Sequence, residues 1–166
     1  MIIKSDIATR RLYATDASVY EELPESVAFP KNTEECISLV KDATKNKTPL
    51  IFRAAGTSIA GQCVGGGQVV DVSRFLTGIL GKPQGHTIKV QPGVIHSGLD
   101  LFLKPFNLKF APEISTSNRC MIGGMIGNNA AGSHSVVYGT TREHVIAIEA
   151  LLSDGSVVEF GPLTDD

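Results

Sequence analysis

An apolar run, Pro49-Leu50-Ile51-Phe52, empties into Arg53-Ala54-Ala55-Gly56-Thr57-Ser58-Ile59-Ala60-Gly61-Gln62, and this junction constrains the chain more than any other stretch. The run reads as a buried strand. The loop after it carries almost no bulky side chain beyond Ile59. Successive amides of such a loop can converge on an anion, and small residues let the anion approach. A phosphate-bearing ligand is one reading; an ordinary strand-to-helix turn accounts for the loop, taken alone, equally well. ATP fits poorly. Gly61 and Gly66 have the outer spacing of a P-loop, but Gly67-Gln68 stands where Lys-Ser/Thr is needed. Ser58 does not sit in Gly-x-Ser-x-Gly, so it is a poor nucleophile.

A second glycine-rich stretch shifts the balance toward a ligand. Residues 111–132 again crowd hydroxyls and small residues together, with Gly123-Gly124 and Gly132 at the tight points. Asn128 and Asn129 add amides that can read the edge of a heterocycle or a ribityl hydroxyl. Two such loops, well separated in sequence, suit a long dinucleotide held along two walls. Neither loop has the Gly-x-Gly-x-x-Gly fingerprint of the Rossmann fold.

The rest of the chain supplies a scaffold. Val27-Ala28-Phe29 reads as a strand stopped by Pro30. Asn32 and Glu35 form a capping box for a helix with Cys36, Ile37, Leu39, Val40 and Ala43 on its apolar face. Asn46-Lys47 ends it, and strands at Leu50–Phe52 and Val69–Val72 flank the first loop. This order predicts a small parallel αβ unit. The cluster Gly81–Gly85 predicts a turn and a subdomain boundary. Then come a strand over Thr87–Gln91, a helix from Val94 to Lys104 and a helical turn near Ile122–Asn128. Ile95, Leu99, Leu101 and Phe102 offer the helix a core face, and Pro105 ends it. Val145–Leu152 and Val157–Phe160 read as a hairpin closed by Ser153-Asp154-Gly155-Ser156.

At 166 residues the chain can bury one good core. Its 42% hydrophobic and 19% charged content fits a globular protein, and a net charge of −2 gives no case for nucleic acid or an anionic membrane. No apolar run approaches the roughly 18 residues of a membrane span, and Met1-Ile2-Ile3-Lys4 does not open a signal peptide, so the cytoplasm is the expected compartment. Cys36, Cys63 and Cys120 form no Cys-x-x-Cys, which argues against a metal site or iron–sulfur cluster in these residues. Capping or surface roles are expected for His86, His96, His134 and His144.

Taken together, these motifs resemble the FAD-binding domain of the vanillyl-alcohol-oxidase (PCMH) type, in the branch of FAD-linked D-lactate dehydrogenases and glycolate oxidase subunits. Tyr13–Tyr20 resembles that family's opening segment, Pro30–Lys45 its first helix, and Arg53–Gln62 its pyrophosphate loop. Val69–Arg74 and Val90-Gln91-Pro92-Gly93-Val94 resemble its next strands. Ile122–Gly132 and Tyr138-Gly139-Thr140-Thr141-Arg142 resemble its second flavin-binding stretch. Ala54 and Ala55 stand where many relatives carry glycine, and Glu113 where many carry Asp.

The resemblance implies an α+β fold of two small subdomains sandwiching FAD, residues 1–82 with the pyrophosphate loop and residues 83–166 incomplete. It implies that Ala55, Gly56, Thr57, Ser58, Ile59, Ala60, Gly61 and Gln62 hold the pyrophosphate. Pro112, Glu113, Ser117, Gly123, Gly124, Asn128, Asn129 and Gly132 would line the second wall. The expected reaction is oxidation of a 2-hydroxy acid, of D-lactate or glycolate type, by hydride transfer to flavin N5. No catalytic residue is assigned, because the family's acid–base groups lie in a cap domain absent here. The chain is thus expected to be an N-terminal piece, inactive alone. Longer members can add an electron-transfer partner, a C-terminal iron–sulfur domain or peripheral membrane association. Two other readings stay open: a same-fold reductase of enolpyruvyl type, and a binding module that has lost its flavin.

Overall fold

Residues 1–162 are described in the computed structural model. Strands β1 (Ile2–Lys4), β2 (Ser26–Phe29), β3 (Leu50–Arg53) and β4 (Gln68–Asp71) form one sheet in the order β1-β2-β4-β3. β4 runs parallel to both its neighbours, and β1 closes the edge antiparallel to β2. Val27, Ala28, Val69 and Val70 are fully buried. Both faces of these central strands are covered, which is why they read as unbroken apolar runs. Ala28 and Val70 pack against Leu39, and Val27, Phe29 and Val69 pack against Tyr13.

Leu39 belongs to α2 (Thr33–Asn46), which follows α1 (Ile7–Leu12). Asn32 caps α2 by accepting from the Glu35 amide at 2.9 Å. The expected box stays half-made. The Glu35 carboxylate instead accepts from the Lys31 amide and the N-terminal ammonium, at 2.9 and 2.6 Å. β1 and α1 were not legible in the sequence, because each is short and largely exposed.

β5 (Ile79–Gln84) and β6 (Thr87–Val90) make a hairpin turning at Gly85-His86. The predicted turn over Gly81–Gly85 is therefore corrected: Gly81, Lys82 and Pro83 lie within β5, and the 82/83 division falls inside that strand. The ladder shifts register between Leu80 and Gln84, and a two-stranded ribbon tolerates Pro at such an irregularity.

α3 (His96–Leu103) buries His96, Leu99 and Leu103. It packs with Val94, Cys120, Ile122 and Met125 in a second core. Ile95 and Leu101, expected inside, are exposed. Leu101 sits two residues from Leu99, on the opposite side of the helix. His96 is a core residue, which overturns its expected capping or surface role. α4 (Ile122–Gly127) and α5 (Ser135–Tyr138) follow, then hairpin β7 (Ile148–Leu151) and β8 (Val157–Phe160). Gly155 takes φ 83° in its turn, and Asp154 accepts from the Ser156 amide at 2.8 Å. β7 starts later than predicted, at Ile148, and is preceded by a 3-10 turn over Thr141–His144 with a Thr140/Glu143 capping box. Among the described residues, no helix is long and apolar enough to cross a membrane.

Candidate functional site

The first loop leaves the C-terminal end of β3. Within it, the amides of Ala55, Gly56, Thr57, Ser58 and Ile59 donate to no protein acceptor among the described residues. These five residues are partly or fully exposed, so their amides are open to solvent and to any anion that approaches the loop. Gly56 reaches the required turn at φ 68°, and a Cβ there would meet Arg53 Nη2 at 2.4 Å. Ala54 and Ala55 are not among the residues with positive φ, so neither carries the strain that a relative's glycine would avoid.

The loop is held from within and from below. Ser58 Oγ accepts from the Ala60 amide at 3.1 Å and donates to Gln62 Oε1 at 2.7 Å. Gly61 takes φ 71° against the Tyr20 ring. Beneath it, Arg53 donates to the Thr15 carbonyl at 2.7 Å and lies 5.3 Å from the centroid of Tyr13. The Tyr13 hydroxyl donates to the buried Asp71 carboxylate at the end of β4. Burial first, and then that hydrogen bond, push the Tyr13 phenol up to about 12.

A cavity of about 360 Å³ opens between this loop and the second stretch. Ala55, Gly56, Thr57 and Ile59 border it on one side, and Thr116 and Arg119 on the other. Gln62 ties the walls together, donating from Nε2 to Asn128 Oδ1 at 2.8 Å.

The remaining second-wall residues divide. Glu113 and Gly132 border another cavity of about 360 Å³ with Ile114, Ser115, Ser133 and His134. There Glu113 accepts from Lys109 at 3.1 Å and faces His134 Nδ1 at 3.2 Å. The bond from Lys109, with the charge behind it and His134 adding to both, holds the Glu113 carboxyl below its ordinary value. Ser117 Oγ folds back on Ile114, and Asn129 Oδ1 accepts from the Arg142 amide at 2.9 Å. Pro112 is buried, Gly123 packs on Pro92, and Gly124 faces Ala54. Thr116 and Arg119 were not singled out in the sequence, since no motif marks one hydroxyl or cation in a small-residue loop; His134, expected at the surface, is exposed there.

Among the described residues, no His, Cys, Asp and Glu cluster could hold a metal ion. The free amides, the positive-φ glycine and the cavity facing them fit the phosphate portion of a dinucleotide.

A match to the family described as FAD binding domain spans residues 24–161. The chain is 40% identical over 160 residues to D-2-hydroxyglutarate dehydrogenase of Escherichia coli (strain K12), covering 94% of this chain and 16% of that protein. It is 31% identical over 157 residues to glycolate oxidase subunit GlcD of Bacillus subtilis (strain 168), covering 93% of this chain and 33% of that one. It therefore spans only a sixth to a third of the length of these relatives. A solved structure of alkyldihydroxyacetonephosphate synthase superposes with a TM-score of 0.84 at 18% identity, over 95% of this chain and 33% of that one. That likeness establishes a shared fold.

Proposed function

This chain belongs to the FAD binding domain family, and from that premise we propose that it holds FAD for an oxidoreductase acting on a 2-hydroxy acid. The observation that carries the proposal is the run of unpaired amides from Ala55 to Ile59 beside a cavity. These amides receive the pyrophosphate oxygens, and the Thr57 and Ser58 hydroxyls can add donors. Ile59, Ala60, Gly61 and Gln62 complete the loop, with Gln62 fixing its distance from the opposite wall. Pro112, Glu113, Ser117, Gly123, Gly124, Asn128, Asn129 and Gly132 form that wall, some as lining and some as its internal bracing.

When bound, FAD supplies a ring that accepts a hydride from the substrate's α-carbon. The chain's own contribution is to bind and orient the dinucleotide. None of its residues is assigned to proton transfer. The catalytic groups belong to a cap outside these residues.

The substrate class is supported by the relatives named above, since 2-hydroxyglutarate and glycolate are both 2-hydroxy acids. The 40% identity makes D-2-hydroxyglutarate the first compound to try. The test is the flavin spectrum of the purified whole protein, followed by anaerobic addition of D-2-hydroxyglutarate, glycolate or D-lactate. Bleaching of the flavin band by one of them is expected. A flavin that none reduces overturns the substrate class, and a protein without flavin that takes up none overturns the cofactor.

A further inference from the structure

We propose that Arg119 is the cation that offsets the charge of the dinucleotide's two phosphates, reaching the first loop from the opposite wall. The inference rests on the reading of the first loop as the phosphate cradle. That loop has no Lys or Arg between residues 54 and 62. Amides alone would have to balance a diphosphate.

Two guanidinium groups border the cavity, Arg53 and Arg119. Arg53 is committed. Its Nη1 donates to the Thr15 carbonyl at 2.7 Å and contacts Cys63 Sγ at 3.7 Å, and its plane lies near the Tyr13 ring. Arg119 is not. Its one side-chain hydrogen bond runs to the neighbouring Asn118 Oδ1 at 3.0 Å, and it forms no ion pair among the described residues.

Its backbone is fixed all the same. The amides of Arg119 and Cys120 both donate to the Thr116 carbonyl, at 2.8 and 2.7 Å, and Cys120 is anchored in the second core. A free side chain thus stands on a rigid turn. The carboxylate bordering the same cavity is Asp16. It is engaged elsewhere, accepting from the Ser18 amide at 2.8 Å and lying 3.7 Å from Cys63 Sγ. An unpaired guanidinium across from unpaired amides makes a two-sided anion site, and the planar fork suits two phosphate oxygens at once.

The test uses the whole protein stripped of flavin, with FAD, ADP and riboflavin as probes. Arg119→Gln should raise the dissociation constants of FAD and ADP about tenfold, the loss expected of a charge-assisted bond. It should also flatten their dependence on salt and leave riboflavin binding and the apo melting temperature unchanged. Arg119→Lys should recover part of the affinity. Unchanged FAD and ADP binding in Arg119→Gln overturns the inference while the cradle stands. An equal loss for riboflavin overturns it as well, because the residue would then brace the wall. If the unaltered protein binds neither FAD nor ADP, the cradle reading fails and the inference with it.

Discussion

The two walls are built from the same small residues, yet they spend them differently. In the first wall, Ala55 to Ile59 leave their amides free, and the loop is held by Arg53 and Tyr13 beneath it and by the side chains of Ser58 and Gln62 within it. In the second, several polar groups are consumed by the wall itself, while the Arg119 guanidinium forms no ion pair among the described residues. Asn129 holds Arg142, Ser117 holds Ile114, and the Gly132 amide donates to Ser135 Oγ at 3.0 Å. A parallel sheet fixes the first loop at one end, and Ser58 and Gln62 brace it through side chains, so its amides stay free. The second wall hangs between short helices and must brace itself. Glycine therefore opens a path for ligand in one wall and lets backbone meet backbone in the other.

The largest effect should come from Gly132. A Cβ there would sit 1.7 Å from the Glu113 carbonyl oxygen, so even alanine forces the backbone apart. Gly132→Ala should cost roughly 3 kcal/mol or more of stability, with or without cofactor. Urea denaturation of the apo protein checks it. A normal midpoint would break the claim that this wall is self-braced.

Gly56 should separate the two quantities. A side chain at φ 68° costs about 1–2 kcal/mol, and the nearest obstacle is the Arg53 guanidinium, whose bond to the Thr15 carbonyl it would disturb. Gly56→Val should fold and yet weaken FAD by at least about tenfold, because its branches crowd the free amides. Flavin content after purification reads it. Full occupancy would remove the first loop from the site.

Asn129 has the amide chemistry of a flavin contact, but its carbonyl oxygen is already taken by the Arg142 amide, and its φ is 45°. Asn129→Ala loses that bond and strains the backbone, together about 2 kcal/mol. The melting temperature should fall equally with and without FAD. A fall confined to the FAD-bound protein would make the residue a ligand.

The sequence showed the two loops, the parallel unit and the last hairpin turn because each depends on local signals: an apolar run into small residues, an Asn cap, an Asp-Gly pair. It could not show that Ser117, Gly123 and Asn129 brace the wall, because their partners, Ile114, Pro92 and Arg142, are chosen by the fold. Arg119 escaped for the same reason. His96 was misread because its polarity masked its place on the face of Leu99 and Leu103, and Leu101 was misread because its apolar character hid that it lies on the opposite face of α3.

The smallest effect concerns what lies under each wall. Tyr13 under the first loop titrates upward to about 12, from burial and from its bond to Asp71. A phenol whose folded value lies above the unfolded value near 10 stabilises the fold fully below pH 10. That contribution is lost as pH rises from about 10 to 12, since the unfolded chain releases its proton first. Glu113 in the second wall runs the opposite way. Lys109 holds it below its ordinary value, so its contribution is present at neutral pH and lost as pH falls through the folded value. Glu113 is exposed at the cavity edge, and solvent screens that contribution nearly to nothing. Tyr13→Phe should cost about 1 kcal/mol at neutral pH and reduce the decline between pH 10 and 12. Glu113→Gln should leave the acid limb almost unchanged. Melting curves across pH for both variants compare the walls directly. A steeper acid limb lost in Glu113→Gln, with no alkaline change in Tyr13→Phe, would place the buried electrostatic support under the second wall instead of the first.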